Sequence, residues 1–305
     1  MFFRGKRKEE RGKRILSSTP LAHGTAAERT AAGVISFLFP LSSFLSKTSF
    51  LLIFLLISCE KEITLDYHQV EPIYVVEAAL SNTNTTIRIS QTNNMDDNSS
   101  TSTVTQAKVT ISGSDGTNLT IPHNRNGFYT STLRGTAGIE YTLNVDLDGH
   151  HFTSTSTMQK APMLKSFRFV WMKAASERIL LGDLRLQDIM NEDNWYFLHI
   201  YRNGIGYRWA VMRDEQNPNK ELQQLFTFFR EGSNDSDVLQ EGDQLRILIR
   251  AIDQRAYDYL YSMQLMDNTG TNPIANFTGG CLGYFSAYHQ IVYNCTYHAA
   301  DAEEE

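Results

Sequence analysis

Tyr141-Thr142-Leu143-Asn144-Val145-Asp146-Leu147-Asp148-Gly149-His150-His151-Phe152-Thr153-Ser154-Thr155-Ser156-Thr157 decides the fold class of this 305-residue chain. Apolar and polar residues alternate from Tyr141 to Val145, which is the period of a strand with one buried face. Asp148-Gly149 supplies the residues that a tight hairpin turn requires, and a second extended run follows from His151 to Thr157. The pattern spreads upstream. Ile73 to Ala78, Thr86 to Ser90, Lys108 to Ser112, Leu119 to Ile121 and Phe128 to Ser131 read as strands, with turns at Asp115-Gly116 and Asn126-Gly127. Gln91 to Thr103, rich in Asn, Asp, Ser and Thr, reads as an exposed loop. So many short strands over residues 73–160 predict an immunoglobulin-like β-sandwich without the cysteine pair and tryptophan of antibody domains.

Ala161-Pro162 marks a boundary, because proline pushes the preceding residue towards extended geometry. Beyond it, Ser166 to Met172, Arg178 to Leu186, Trp195 to Tyr201, Tyr207 to Val211, Phe226 to Phe229, Gln244 to Ile252 and Gln290 to Tyr297 read as strands of a second β-rich domain over residues 161–300. One helix is expected within it, over residues 253–267. Asp253 is its cap, and Tyr257, Leu260, Tyr261 and Gln264 or Leu265 share a face. The ordinary role of these tyrosines is packing against a sheet. The fold expected is therefore all-β, with two consecutive sandwich-like domains, a short helix in the second and an acidic tail at residues 301–305.

Near the N-terminus, Leu56-Ile57-Ser58-Cys59 follows the apolar run from Phe50 to Leu55, with Lys47 before it. A basic residue, a short greasy segment and a small residue directly before cysteine form the layout of a bacterial lipoprotein signal. Cleavage after Ser58 would leave Cys59 as a lipidated N-terminus, preceded by a leader over residues 1–58 that is cleaved or disordered and followed by a tether over residues 59–72. Residues 34–57 compete as an uncleaved anchor, since roughly 20 apolar residues span a bilayer. Pro40 and Ser46 to Ser49 interrupt that segment, which favours the signal. The basic cluster from Arg4 to Arg14 lies far upstream of the apolar core, as expected of a long leader or of a start codon upstream of the true one.

Removing residues 1–58 takes away nine of 28 basic residues and three of 34 acidic ones, leaving 19 against 31 and a net charge of −12. Such a surface repels phosphate backbones, so nucleic acid is not an expected partner. Cys281 and Cys295 are a candidate disulfide in an oxidising compartment, closing a loop of roughly 15 residues at about 3 kcal/mol; small buried hydrophobes are the alternative.

No catalytic residues are assigned. Gly113-Ser114-Asp115-Gly116 lacks nucleophile-elbow spacing, and Gly279-Gly280-x-x-Gly283 lacks the glycines of a dinucleotide site and reads instead as close backbone approach. His150-His151 would face opposite ways on a strand, and Asp96-Asp97, Asp146-Asp148 and Asp235-Asp237 lack calcium-loop spacing. No metal or cofactor is expected.

Several motifs in fixed order then point one way: Cys59-Glu60-Lys61-Glu62-Ile63, Pro72 to Ala78, Ala107-x-Val109-x-Ile111 before Asp115-Gly116, and Gly127-x-Tyr129. Tyr141-Thr142-Leu143-x-Val145, Gly149-x-x-Phe152-Thr153-Ser154, Ala256 to Tyr259 and Gly283 to Ala287 complete the series. This order resembles the domain-of-unknown-function 4249 family, lipoproteins of the Gram-negative envelope. The resemblance covers the chain after the signal and implies an outer-membrane, lipid-anchored location, with a surface or periplasmic orientation left open. Members are often encoded near TonB-dependent outer-membrane receptors, which implies an accessory role in uptake or the binding of a glycan or peptide ligand. A surface hydrolase with paired carboxylates and a structural envelope component are the competing classes.

Overall fold

A computed structural model describes residues 71–93, 102–174, 177–214, 221–230, 238–269 and 273–304. The expected leader, Ser58, Cys59, most of the tether, Asp96-Asp97 and Asp235-Asp237 lie outside the described residues. Strands dominate, in sandwich-like layers. The first group comprises β1 (Tyr74–Ser81), β2 (Thr85–Gln91), β3 (Lys108–Gly113), β4 (Asn118–Ile121), β5 (His123–Arg125), β6 (Phe128–Ser131), β7 (Glu140–Leu147) and β8 (His150–Thr157). The second comprises β9 (Met163–Ala174), β10 (Glu177–Gln187), β11 (Trp195–Arg202), β12 (Ile205–Arg213), β13 (Glu221–Arg230) and β14 (Gln244–Ile252), followed by helix α1 (Gln254–Thr269). The chain closes with β15 (Leu282–Thr296) and the short β16 (Glu303–Glu304).

The alternation of the opening stretch becomes the predicted hairpin. Tyr141, Leu143, Val145 and Leu147 are buried along β7, and Asp148 and Gly149 turn the chain with φ of 50° and 79°. The sheet β4-β3-β7-β8 covers a core of Val76, Leu80, Ile87, Ile111, Leu143 and Phe152. A second core, with Leu184, Tyr196, Leu198, Ile247 and Ile249, draws on the sheet β13-β10-β9-β16 and on β11 and β14.

The two sandwiches are not separate beads. The third sheet runs β12-β11-β14-β15-β1-β2-β6-β5, and β15 joins its halves. From Leu282 to Tyr288 this strand pairs in parallel with β1, and from His289 to Thr296 it pairs antiparallel with β14. The first core therefore includes Phe277, Cys281, Phe285 and Ala287, which the sequence boundaries assign to the second domain. Of the acidic tail, residues 301–304 are described and are tied to the second sandwich: β16 adds in parallel to β9, and Glu303 and Glu304 pair with Arg168 and Arg178.

β15 also rules out the disulfide. Cys281 and Cys295 are free thiols, one just before the strand and one near its far end. At about 3.3 Å per extended residue they stand on the order of 40 Å apart, whereas bridged Cα atoms lie within about 7 Å. Cys281 instead takes the alternative role of a small buried hydrophobe and Cys295 is half-buried against the second core, with burial pushing the Cys281 thiol up to about 12 and that of Cys295 up to about 11.

Backbone crowding where β15 enters the first sandwich accounts for its glycines. Gly283 has φ of +103°, and a Cβ there would stand 2.0 Å from the Val76 carbonyl oxygen; at Gly279, φ +92°, it would stand 2.2 Å from that of His151. Gly283→Ala is expected to cost at least about 2 kcal/mol, since it adds strained φ to a clash with rigid backbone. Urea unfolding with an unchanged midpoint would refute this account of the β1/β15 pair.

Candidate functional site

Helix α1 begins where β14 ends, and Asp253 fixes its start. Asp253 Oδ1 accepts from the Ala256 N–H at 3.0 Å, as the sequence predicts of a cap, while Oδ2 accepts from the Thr157 N–H at 3.0 Å, which the sequence does not foreshadow. The same carboxylate thus anchors the helix to β8 of the first sandwich. Burial raises its pKa, outweighing the donors that favour its charge. Arg255 adds bonds to Thr155 Oγ1 and to the Asn276 carbonyl.

So anchored, α1 lies against β11, β12 and β15. Ala256, Tyr257, Tyr259 and Leu260 are buried with Phe197, Val211 and Ile252, and Trp195 and Trp209 pack beside them. The expected stripe holds in part: Tyr257 and Leu260 are buried, whereas Tyr261 is 44% exposed and Leu265 38% exposed, so the face turned to the sheet is rotated to take in Ala256, Tyr259 and Met263. Sequence periodicity missed this because tyrosines occur at several adjacent turns and any of them would satisfy a helical repeat.

The rotation leaves a cavity of about 720 Å3 beside the ends of β12 and β13, lined by Arg213, Asp214, Glu221, Gln223, Tyr257, Asp258 and Tyr261. The rings of Tyr257 and Tyr261, one helical turn apart, lie parallel within 9° at a centroid distance of 5.6 Å. One wall is therefore aromatic and the facing edges are charged. Glu221 accepts from Arg185 at 2.8 Å and pairs with Lys165 at 2.9 Å; these cations hold its carboxyl below the usual range. Their row continues through Asp183, which accepts from Arg185, Arg168 and Gln223 at 2.8–2.9 Å. An acid kept ionised in this way is suited to accepting hydrogen bonds rather than to donating a proton.

One other arrangement orders its atoms like a hydrolytic relay. His151 Nδ1 lies 2.6 Å from Asp146 Oδ1, and its Nε2 lies 2.9 Å from Thr153 Oγ1. Thr153 donates to Asn144 Oδ1 at 2.9 Å, and the histidine and aspartate side chains are 61% and 51% exposed on an outer strand face. The hydroxyl proton is thus committed away from the imidazole, outside any cleft. His150 turns to the opposite face and stacks on Phe152, while Asp148 accepts from the Tyr74 hydroxyl. Gly113 to Gly116 form the β3–β4 turn.

Among the described residues, no group of three or more His, Cys, Asp or Glu is arranged to hold a metal, and no helix is long and apolar enough to cross a membrane. A family model described as "Domain of unknown function (DUF4249)" matches residues 60–292. No curated protein matches the chain. Among solved structures, a DUF4785 family protein from Legionella pneumophila is similar at 12% identity and a TM-score of 0.23, over 59% of this chain and 52% of that one. The match thus spans about half of that protein.

Because Asp253 sets the position of α1, Asp253→Ala is expected to destabilise the fold by about 2–3 kcal/mol, from a lost cap plus an unsatisfied N–H on β8. Guanidinium unfolding followed by circular dichroism measures it, and a loss below about 0.5 kcal/mol would mean that the carboxylate is not the anchor.

Proposed function

The chain belongs to the DUF4249 family, and from that premise we propose that it is a lipid-anchored envelope protein that binds an extended glycan or peptide without transforming it. The observation that carries this reading is the cavity beside α1, with the parallel rings of Tyr257 and Tyr261 on one side and Arg213, Glu221 and Asp258 around it. Aromatic faces receive the apolar faces of sugar rings or peptide side chains, and flanking charged groups fix hydroxyls or amides. Of the two ligand classes, a glycan is the better match, because its C–H faces suit stacking while its hydroxyls suit the ionised Glu221.

The address comes from the sequence. Ser58-Cys59 after the apolar run supports cleavage and acylation at Cys59, and several acyl chains at about 0.8 kcal/mol per buried CH2 hold a protein stably on a membrane. Outer-membrane attachment beside a TonB-dependent receptor would place the cavity where ligands are captured before uptake.

Two measurements test the two halves. Cys59→Ser is expected to move the protein from the membrane fraction to the soluble fraction and to abolish acyl-chain labelling; retention of the labelled, membrane-bound form would remove the anchor. On an oligosaccharide array, the parent chain is expected to bind at least one glycan class, and Tyr261→Ala to weaken it by about tenfold, corresponding to about 1.4 kcal/mol. Binding unaffected by Tyr261→Ala would place the ligand elsewhere.

A further inference from the structure

We infer that the end of the second sandwich, where Asp188 and Asn194 bound the connection from β10 to β11, is a binding site for a hard divalent cation of Ca2+ type. This site goes beyond the ligand-binding reading and does not depend on it, although Asp214 also lines the cavity beside α1. The connection carries the chain from one layer of the sandwich to the other, since β10 belongs to the β13-β10-β9-β16 sheet and β11 to the long one. At its far end Trp195 pairs with Arg213 and Tyr196 with Met212, and the Asp214 N–H donates to the Asn194 carbonyl at 2.8 Å. Alternation along the pleat then puts Asn194, Tyr196, Met212 and Asp214 on one face, the inward one, because Tyr196 lies in the core. Asp188 arrives from the opposite layer, directly after the buried Leu184 and Leu186 of β10.

What these residues bring together is oxygen without partners. Asp188 Oδ1, Asn194 Oδ1 and the Tyr196 hydroxyl are all buried and make no hydrogen bond, in residues 3%, 7% and 1% exposed. Native interiors leave few such atoms unpaired, and each one costs free energy to bury. Two aspartates, an amide oxygen and a phenol directed into the same end of the sandwich match the all-oxygen preference of Ca2+, whereas zinc favours nitrogen and sulfur. The phenol's proton suits a cation-bound water. With two carboxylates instead of the three or four of tight sites, affinity belongs at the weak end of the calcium range, on the order of 10⁻⁴–10⁻³ M.

The test uses the purified full-length chain, stripped with chelator, and reads thermal unfolding with and without about 5 mM CaCl2, together with Tb3+ luminescence sensitised by nearby aromatic rings. Calcium is expected to raise Tm by about 3–9 °C, and calcium to displace Tb3+. Asp188→Asn should abolish the shift, and Asn194→Ala should weaken Tb3+ binding at least about threefold, which keeps the test decisive if the first variant does not fold. No calcium-dependent shift, or a full shift and unchanged Tb3+ binding in the variants that fold, would overturn the site and leave buried water as its occupant.

Discussion

The parallel pairing of β1 with β15 is the constraint on which the rest of the structure depends. Sheet hydrogen bonds there are made by the first described strand and one of the last, Val75 to Ser81 against Leu282 to Tyr288. Without that pairing the first core would lose Phe277, Phe285 and Ala287, and the third sheet would fall into two pieces. Because the same strand continues as the neighbour of β14, the two sandwiches share a backbone ladder rather than a linker. Relative motion of the two would break ladder bonds, so the second sandwich and its helix are held in fixed register to the first.

Polar side chains reinforce this seam. Along β8, the inward positions after Phe152 are serines rather than hydrophobes. Ser154 donates to the carbonyl and the side-chain oxygen of Asn276, Asn276 Oδ1 accepts from the Phe285 N–H, and Ser156 Oγ accepts from the Ala287 N–H. These bonds satisfy backbone groups of β15 that no strand partner reaches, a use of buried polarity that raises specificity as much as stability. Asp253 and Arg255 extend the network to α1, which is why a helix of the second sandwich reports on the integrity of the first. The cavity beside α1 is built on this rigid frame, with Tyr261 projecting from a helix whose opposite side is locked down.

Much of the framework was legible residue by residue. Period-two alternation and Asp-Gly or Asn-Gly turns identified most strands, and Asp253 was recognisable as a cap because a short acid preceded a helical run. Gly279 and Gly283 were correctly read as sites of close backbone approach. The length of β15 was not legible. Its first half carries a glycine at its second position and pairs with a strand from the other end of the chain, so local pattern suggested a strand only near Gln290 to Tyr297. The oxygen cluster at Asp188, Asn194 and Tyr196 was equally hidden, since its members follow no motif spacing and meet only when two layers close on each other.

By itself, then, the sequence determined the class of structure, the turns, the helix cap, the acidic surface and the family pattern, because each depends on residues within a few positions of one another or on composition alone. Tertiary structure decided which strands pair across the chain, which side of α1 faces the sheet, that Cys281 and Cys295 stand apart, and where buried oxygens converge. Those outcomes follow from long-range register and from competition for the interior. A one-dimensional pattern of apolar and polar residues carries neither.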